Sequence, residues 1–298
     1  MWMALILHAL ANDPVAYGPG GASIPTLPGA GAGEFSFSSD GPCGAWQASS
    51  GPVTVQVPFG DTSYPVDLYG KPGQEGPRRT VVLLHGAGGN ARKVVGQTGF
   101  DEVIARDGGL LVVPQAIDVP QIGPLWDNGT LKDGEGRDDA AFLDVVSAWV
   151  DANACASKTL AVGFSNGAQM AARWACQSEA PDAVMTHAGS LKVPECRPRG
   201  RWMLAYVGTA DAYKRAQSPE TIGDMAHVWN AGQTTPVREP DEVEHEGKRT
   251  CSTWTGGNPV TLCVLQGWGH KWPSPITNSK MPFDATAHAW TFFNERVR

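Results

Sequence analysis

Residues 160–176, LAVGFSNGAQMAARWAC, pass from an apolar strand into a helical pattern with no loop between them. A strand can become a helix within two residues only where no side chain at the turn clashes with the backbone. Gly163 and Gly167, two residues either side of Ser165, remove that clash. The serine is left on a sharp, exposed turn, its oxygen above the sheet and a helix N-terminus behind it. The motif means little by chance alone; its weight comes from lying between strand and helix in an α/β alternation, and the rest of the chain supplies that alternation. A surface serine on a glycine turn is the plain competing reading.

Early in the chain VTVQV (53–57) and YPVDLY (64–69) alternate apolar and polar residues, as antiparallel strands with one solvated face do. The later runs are continuously apolar: VVLL (81–84), LLVV (110–113), LAV (160–162), AVM (183–185), WMLAYV (202–207) and LCVL around 263–265. Such runs read as buried strands of a mostly parallel sheet. Helical stretches separate them. Residues 138–152 begin with an Asp cap and set Phe142, Val145, Val146 and Trp149 on one face, and others lie near 91–106, 166–177, 219–231 and 283–297. Strands alternating with helices after an antiparallel start predict an α/β sandwich with crossover connections, with about eight strands. No composition break suggests a second domain, so residues 34–298 are expected to form one domain.

A chain of 298 residues with 42% hydrophobic content can bury a large core. Its net charge of -7 argues against nucleic acid or an anionic membrane as partner. No run is long enough to span a membrane, and no internal repeat is present. Met1–Ala11 is apolar and ends in Ala9-Leu10-Ala11, like a cleavage site, but no Lys or Arg precedes Lys71. A short signal-like segment and a plain N-terminal strand or helix are both open readings. Residues 12–33 are Gly/Pro/Ala-rich and read as a flexible leader, so 1–33 is expected to be a signal-like segment and leader ahead of the domain. Six cysteines, an even count, fit three disulfides in an oxidising compartment and favour export. Cys251 and Cys263 flank a turn between two strand-like runs and are placed to close across a hairpin. Cys176–Cys196 and Cys43–Cys155 are the preferred remainder, with the connectivity left open by sequence. There is no CxxC pair and no Cys/His cluster at zinc spacing, so no metal is expected.

A nucleophilic serine needs a base to take its proton and a carboxylate to orient that base, in the order Ser, Asp or Glu, His on this kind of sheet. WMLAYVGTADAYK puts Asp211 in the loop after strand 202–207, and LCVLQGWGHKWP puts His270 after the strand ending at Leu265. Both lie beyond carboxyl ends of strands, where α/β sites are built. The competing residues are weaker. His227 and His288 fall in helical patterns, His245 in a charged loop and His8 in the leader; Asp224 and Asp241 fall in helix and polar loop. Asp138 and Asp139 resemble an acid pair, but a helix N-cap explains them more simply. The loop LLHGAGGN (83–90) follows an early strand and resembles an oxyanion loop, with the Ala87 backbone N–H as one donor and that of Asn166 as the second. His85 reads as structural. Trp126, Trp268 and Trp272, with His187 after its strand, are placed near the rim as candidate substrate-binding residues, although core packing competes for each tryptophan.

Taken in order, LLHGAGGNA, LWDNG, DDAAFLDVV, GFSNGAQMAARWAC, GTAD and GWGHKWP resemble the polyhydroxybutyrate-depolymerase-like esterases, a group related to feruloyl and acetyl-xylan esterases. The match runs from about residue 52 to the C-terminus. The resemblance implies an α/β-hydrolase fold with helices on both faces of the sheet, secretion, and carboxylic-ester hydrolysis without a cofactor. It carries Ser165, Asp211 and His270 over as the triad. The chain departs from the group's usual pattern at Trp268, where a glycine is usual, at Lys271, where a threonine is usual, and at His187, in MTHAG. The expectation is a secreted, monomeric serine esterase acting through an acyl-enzyme on feruloyl or acetyl esters of polysaccharide, or on short polyester units. A serine peptidase, an aromatic-polyester hydrolase, a cytosolic thioesterase and a non-catalytic binding protein are the alternatives.

Overall fold

A computed structural model describes residues 43–47, 51–131, 136–190, 196, 199–213, 218–231, 239–276 and 283–298. The leader expected over 1–33 lies outside the described residues. β1 (Val53–Phe59) and β2 (Thr62–Gly70) form an antiparallel hairpin, and β1 buries alternate residues as its sequence requires. The apolar runs become β3 (Arg78–Leu84), β4 (Leu110–Pro114), β7 (Ala156–Phe164), β8 (Ala183–His187), β9 (Trp202–Gly208) and β12 (Val260–Leu265). These six pair in parallel in the order β4-β3-β7-β8-β9-β12, and β1 and β2 extend one side antiparallel.

The far side is also antiparallel and carries β11 (Arg249–Trp254) and β10 (Glu242–Glu246), which brings the sheet to ten strands rather than about eight. β10 reads EVEHE, and all five of its residues are exposed. With no apolar face it carries no strand pattern; backbone pairing to β11 alone defines it, and its glutamates mark an edge that resists further pairing. It also places His245 in a strand rather than a loop. A separate small hairpin, β5 (Ile117–Val119) and β6 (Gly123–Leu125), likewise has no strong pattern in the sequence.

Among the described residues six helices cover the sheet: α1 (Ala91–Thr98), α2 (Phe100–Asp107), α3 (Asp139–Ala154), α4 (Asn166–Gln177), α5 (Pro219–Ala231) and α6 (Ala285–Arg296). The helical stretch near 91–106 is two helices, because Gly99 adopts φ 71° and closes α1 with its N–H on the Val95 carbonyl. The parallel strands are buried on both faces. Val82, Leu84, Ala161 and Ala205 pack with Phe142, Trp174 and Trp229 of α3, α4 and α5. Val81, Leu83, Val162 and Leu204 pack with Val94, Ile104 and Phe293 of α1, α2 and α6. Each valine, leucine, isoleucine or phenylalanine among them contributes roughly 1.5–3 kcal/mol on burial. No helix among the described residues is long and apolar enough to cross a membrane.

Three disulfides join Cys43–Cys155, Cys176–Cys196 and Cys251–Cys263, and no described cysteine is free. The first spans 112 residues and fastens the segment before β1 to the end of α3. Beside it the fully buried Arg78 donates to the carbonyls of Ala154 (3.1 Å), Gly44 (2.5 Å) and Gln74 (2.8 Å). Loop-closure entropy for a ring of that size corresponds to up to about 5 kcal/mol. Replacing Cys43 and Cys155 together by serine is therefore expected to lower the urea unfolding free energy by several kcal/mol, and an unchanged midpoint would contradict that role.

Two histidines, His187 fully buried and His288 half-buried, make stability pH-dependent. Burial holds the imidazoles of His187 and His288 down to about 4. In the unfolded chain a histidine protonates near its ordinary value of about 6.5, so between these values the unfolded state binds more protons. Their contribution is fully present above about 6.5 and is lost as pH falls through about 4. The Tyr206 hydroxyl donates to Nδ1 of His288, and His288→Asn keeps an acceptor there without the titration. Between about pH 7 and about pH 4.5 the variant is expected to lose roughly 2–3 kcal/mol less unfolding free energy than wild type. Equal losses in urea titrations would contradict this assignment.

Candidate active site

β7 runs into α4 through Ser165, which stands at φ 56°, ψ -118°, a conformation that costs an L-residue of order 1–3 kcal/mol. A Cβ at Gly163 would collide with the Gly167 carbonyl, and one at Gly167 with the carbonyls of Leu84 and His85. Glycine at both positions thus lets β7, α4 and the end of β3 meet at one point. The Ser165 N–H donates to the His187 carbonyl at 2.9 Å, so the neighbouring strand holds the strained turn.

Asp211 follows β9 and His270 follows β12, two adjacent parallel strands. Their loops are tied together: the Thr209 N–H donates to the Leu265 carbonyl (3.1 Å), that of Ala210 to the Trp268 carbonyl (2.9 Å), and that of Gly267 to Thr209 Oγ1 (2.8 Å). Asp211 is 2% exposed. Its Oδ2 lies 2.8 Å from His270 Nδ1, and His270 Nε2 lies 3.0 Å from Ser165 Oγ. A buried carboxylate beside Nδ1 keeps the proton on that nitrogen and leaves Nε2 free to accept from the serine hydroxyl. The second Asp211 oxygen accepts the Tyr213 N–H at 2.9 Å. The three residues expected from motif and chain order are therefore hydrogen-bonded in sequence.

The turn after β3 supplies the other component. Gly86 packs so close to the serine that a Cβ there would lie 3.3 Å from Ser165 Cβ. His85 is buried, and burial lowers its pKa; the neutral ring accepts from the Ala116 N–H (3.2 Å) and Gln115 Nε2 (2.8 Å) at Nε2 and donates to the Gly86 carbonyl (2.8 Å) from Nδ1. Gly88 N–H donates to Pro124 and Gly89 N–H to Gly86, closing the turn. Among the described residues neither Ala87 nor Asn166 spends its backbone N–H on a protein acceptor. As the first residue of α4, Asn166 has no acceptor within its helix. Two such N–H groups, on the turn after β3 and at the start of α4, are the kind of donor that suits a developing oxyanion, where each is worth roughly 2.7–4 kcal/mol.

The expected rim residues are placed differently. Trp126 is 0% exposed: its indole N–H donates to the His85 carbonyl (2.9 Å), and the Asn166 side chain holds its backbone at both N–H (2.9 Å) and C=O (3.1 Å). It braces the turn after β3 and offers substrate no surface. Trp272 is 2% exposed, with its indole N–H on Thr286 Oγ1 (2.9 Å) and its ring against Phe100, so it belongs to the core beneath His270. His187 is fully buried as well. Only Trp268 of the four keeps partial exposure. These aromatics follow the motifs closely in sequence, but strand ends point some side chains inward and no sequence pattern distinguishes them.

Asp138 caps α3 by accepting from the Ala141 N–H, whereas Asp139 is buried and meets Arg137 at 2.6 Å. Burial pushes the Asp139 carboxyl up and the Arg137 guanidinium down, and their mutual attraction opposes both shifts. Arg137 in turn donates to the Gln115 carbonyl, supporting the residue that holds His85. Asp241 is engaged with Thr255, and His227 packs on Trp254. Among the described residues no group of three or more His, Cys, Asp and Glu side chains could hold a metal ion.

Tyr213 was not singled out by its sequence context. Its ring, in a residue 62% exposed, lies 4.6 Å from that of His270, and Phe164 lies 4.9 Å from the same imidazole. The available signal was its position two residues after the acid, in a loop at a strand's carboxyl end.

No protein-family model and no curated protein matches the chain. Solved structures do. An acetyl xylan esterase from Aspergillus awamori aligns at TM-score 0.59 and 18% identity over 76% of this chain and 96% of its own. A cold-adapted esterase from an Arctic intertidal metagenomic library aligns at 0.55 and 11% over 83% and 94%. A serine hydrolase without a lid from Xanthomonas campestris aligns at 0.51 and 14% over 82% and 97%. These likenesses define the class of fold, and the chain is an α/β-hydrolase fold with three disulfides.

Proposed function

We propose that the chain is a secreted serine carboxylic-ester hydrolase, with residues 34–298 as its catalytic domain. The observation that carries this reading is the unbroken line from Ser165 Oγ through His270 to Asp211, at 3.0 and 2.8 Å. Ser165 attacks the ester carbonyl while His270 Nε2 takes its proton. The Ala87 and Asn166 N–H groups receive the oxyanion, and His270 returns the proton to the leaving alcohol. Asp211 orients the imidazole and stabilises its charged form. Water then repeats the cycle on the acyl-enzyme and frees the acid. No step needs a metal or an organic cofactor.

The likeness to an acetyl xylan esterase and the exposed Tyr213 ring beside the base favour small acyl groups and planar aromatic acyl groups, as on acetylated or feruloylated polysaccharide. Short polyester units remain in the same chemical class. The three disulfides support an extracellular site of action. The test is hydrolysis of p-nitrophenyl acetate, methyl ferulate, acetylated xylan and a hydroxybutyrate oligomer beside an amide reporter. Ester turnover with the amide left intact is expected; amide cleavage without ester cleavage would make the chain a peptidase instead.

A further inference from the structure

We infer that His187 is a positioning residue: it holds the turn carrying Ser165 and the turn carrying His270 to one strand end, and so sets the distance between nucleophile and base. This rests on the esterase reading above. His187 ends β8, with Phe164 of β7 paired on one side and Tyr206 of β9 on the other. Its carbonyl accepts the Ser165 N–H at 2.9 Å, and its Nε2 donates to the Lys271 carbonyl at 2.7 Å. Lys271 directly follows His270. The same Lys271 oxygen accepts the Trp268 indole N–H at 2.6 Å, so a donor from β8 and a donor from the base's own turn converge on one atom. The three positions at which the sequence departs from the esterase pattern, His187, Trp268 and Lys271, form this one hydrogen-bonded unit.

The ring is held as firmly as its bond. It stacks on Phe164 at 5.6 Å and 20°, meets Trp272 edge-on at 5.8 Å, and is fully buried. Phe164 then passes the contact to His270 at 4.9 Å. Nδ1 lies 3.3 Å from the Tyr206 carbonyl. A neutral imidazole has one proton to donate, and the shorter contact to Lys271 takes it. An apolar side chain would fill the same space but would leave the Lys271 carbonyl short of a donor and the base turn joined to β8 by packing alone.

The test compares wild type, His187→Phe, His187→Gln and Trp268→Phe by steady-state hydrolysis of p-nitrophenyl acetate and by the rate of Ser165 labelling with a fluorophosphonate. Phenylalanine keeps the stacked ring without the N–H, and glutamine restores an N–H at similar reach. For His187→Phe, kcat is expected to fall about 10- to 100-fold with KM within about twofold, because displacing a reacting group by about 1 Å costs up to about 100-fold. His187→Gln should recover most of that loss, Trp268→Phe should show a smaller fall in kcat alone, and labelling rates should follow kcat. A His187→Phe kcat within about twofold of wild type, or glutamine no better than phenylalanine, would overturn the inference. If the phenylalanine variant does not fold, an unimpaired Trp268→Phe or a His187→Gln as inactive as a Ser165 substitution overturns it. Wild type inert to both probes overturns the esterase reading and this inference with it, whereas active wild type beside an unimpaired His187→Phe overturns the inference alone.

Discussion

Ser165→Ala is expected to lower ester hydrolysis by at least about 10⁴-fold while leaving the protein folded, since removing the nucleophile of such a triad elsewhere costs about 10⁶ in kcat. The loss is large because Ser165 Oγ is the only serine oxygen that the structure sets against His270 Nε2, at 3.0 Å, among the described residues. The two N–H groups at Ala87 and Asn166 survive the substitution, and through them a small rate above solution should remain. The Ser165 side chain makes no capping bond to α4, and among the described residues its hydrogen bond goes to His270 rather than into its own turn. Thermal unfolding of the variant should therefore stay close to that of wild type, and p-nitrophenyl acetate turnover at the wild-type rate would remove the basis of the account.

Asp211→Asn is the second large effect, a fall of about 10⁴ in kcat near neutral pH, the cost of the same exchange in an unrelated serine hydrolase triad. The buried carboxylate accepts from His270 Nδ1 and also from the Tyr213 N–H, so both its oxygens are used. An amide of the same shape that keeps its oxygen on Tyr213 presents a donor to Nδ1. The imidazole then adopts the tautomer with its proton on Nε2, facing Ser165, and cannot act as base. Geometry is preserved and chemistry is lost. A variant retaining more than about a tenth of wild-type kcat would show that Asp211 does not set the tautomer.

The centre of the fold and the meeting of Ser165, His270 and Asp211 were legible because each rests on local chemistry. Continuous apolar runs become strands buried on both faces, and Gly163 and Gly167 permit the sharp turn at Ser165. Asp211 and His270 sit just past strand ends. The cysteine pairs were readable in part, since Cys251 and Cys263 flank one hairpin turn, whereas Cys43 and Cys155 meet across 112 residues. What the sequence concealed depends on tertiary placement. β10 has no apolar face and exists through its ladder to β11. Trp126 and Trp272 lie beside motifs in sequence but turn inward, and their indole N–H groups find buried acceptors. His187 reads as a cleft residue until its Nε2 is seen to end on the Lys271 carbonyl. Tyr213, which flanks His270 from solvent, carries no motif at all.

The most direct measurement is acid-quenched peptide mapping of the protein during turnover of p-nitrophenyl acetate. One acetyl group per protein is expected, on the peptide that carries Ser165, appearing with the first burst of p-nitrophenol and absent from Ser165→Ala. Acetylation confined to another residue, or hydrolysis with no acylated protein and full activity in Ser165→Ala, would contradict it.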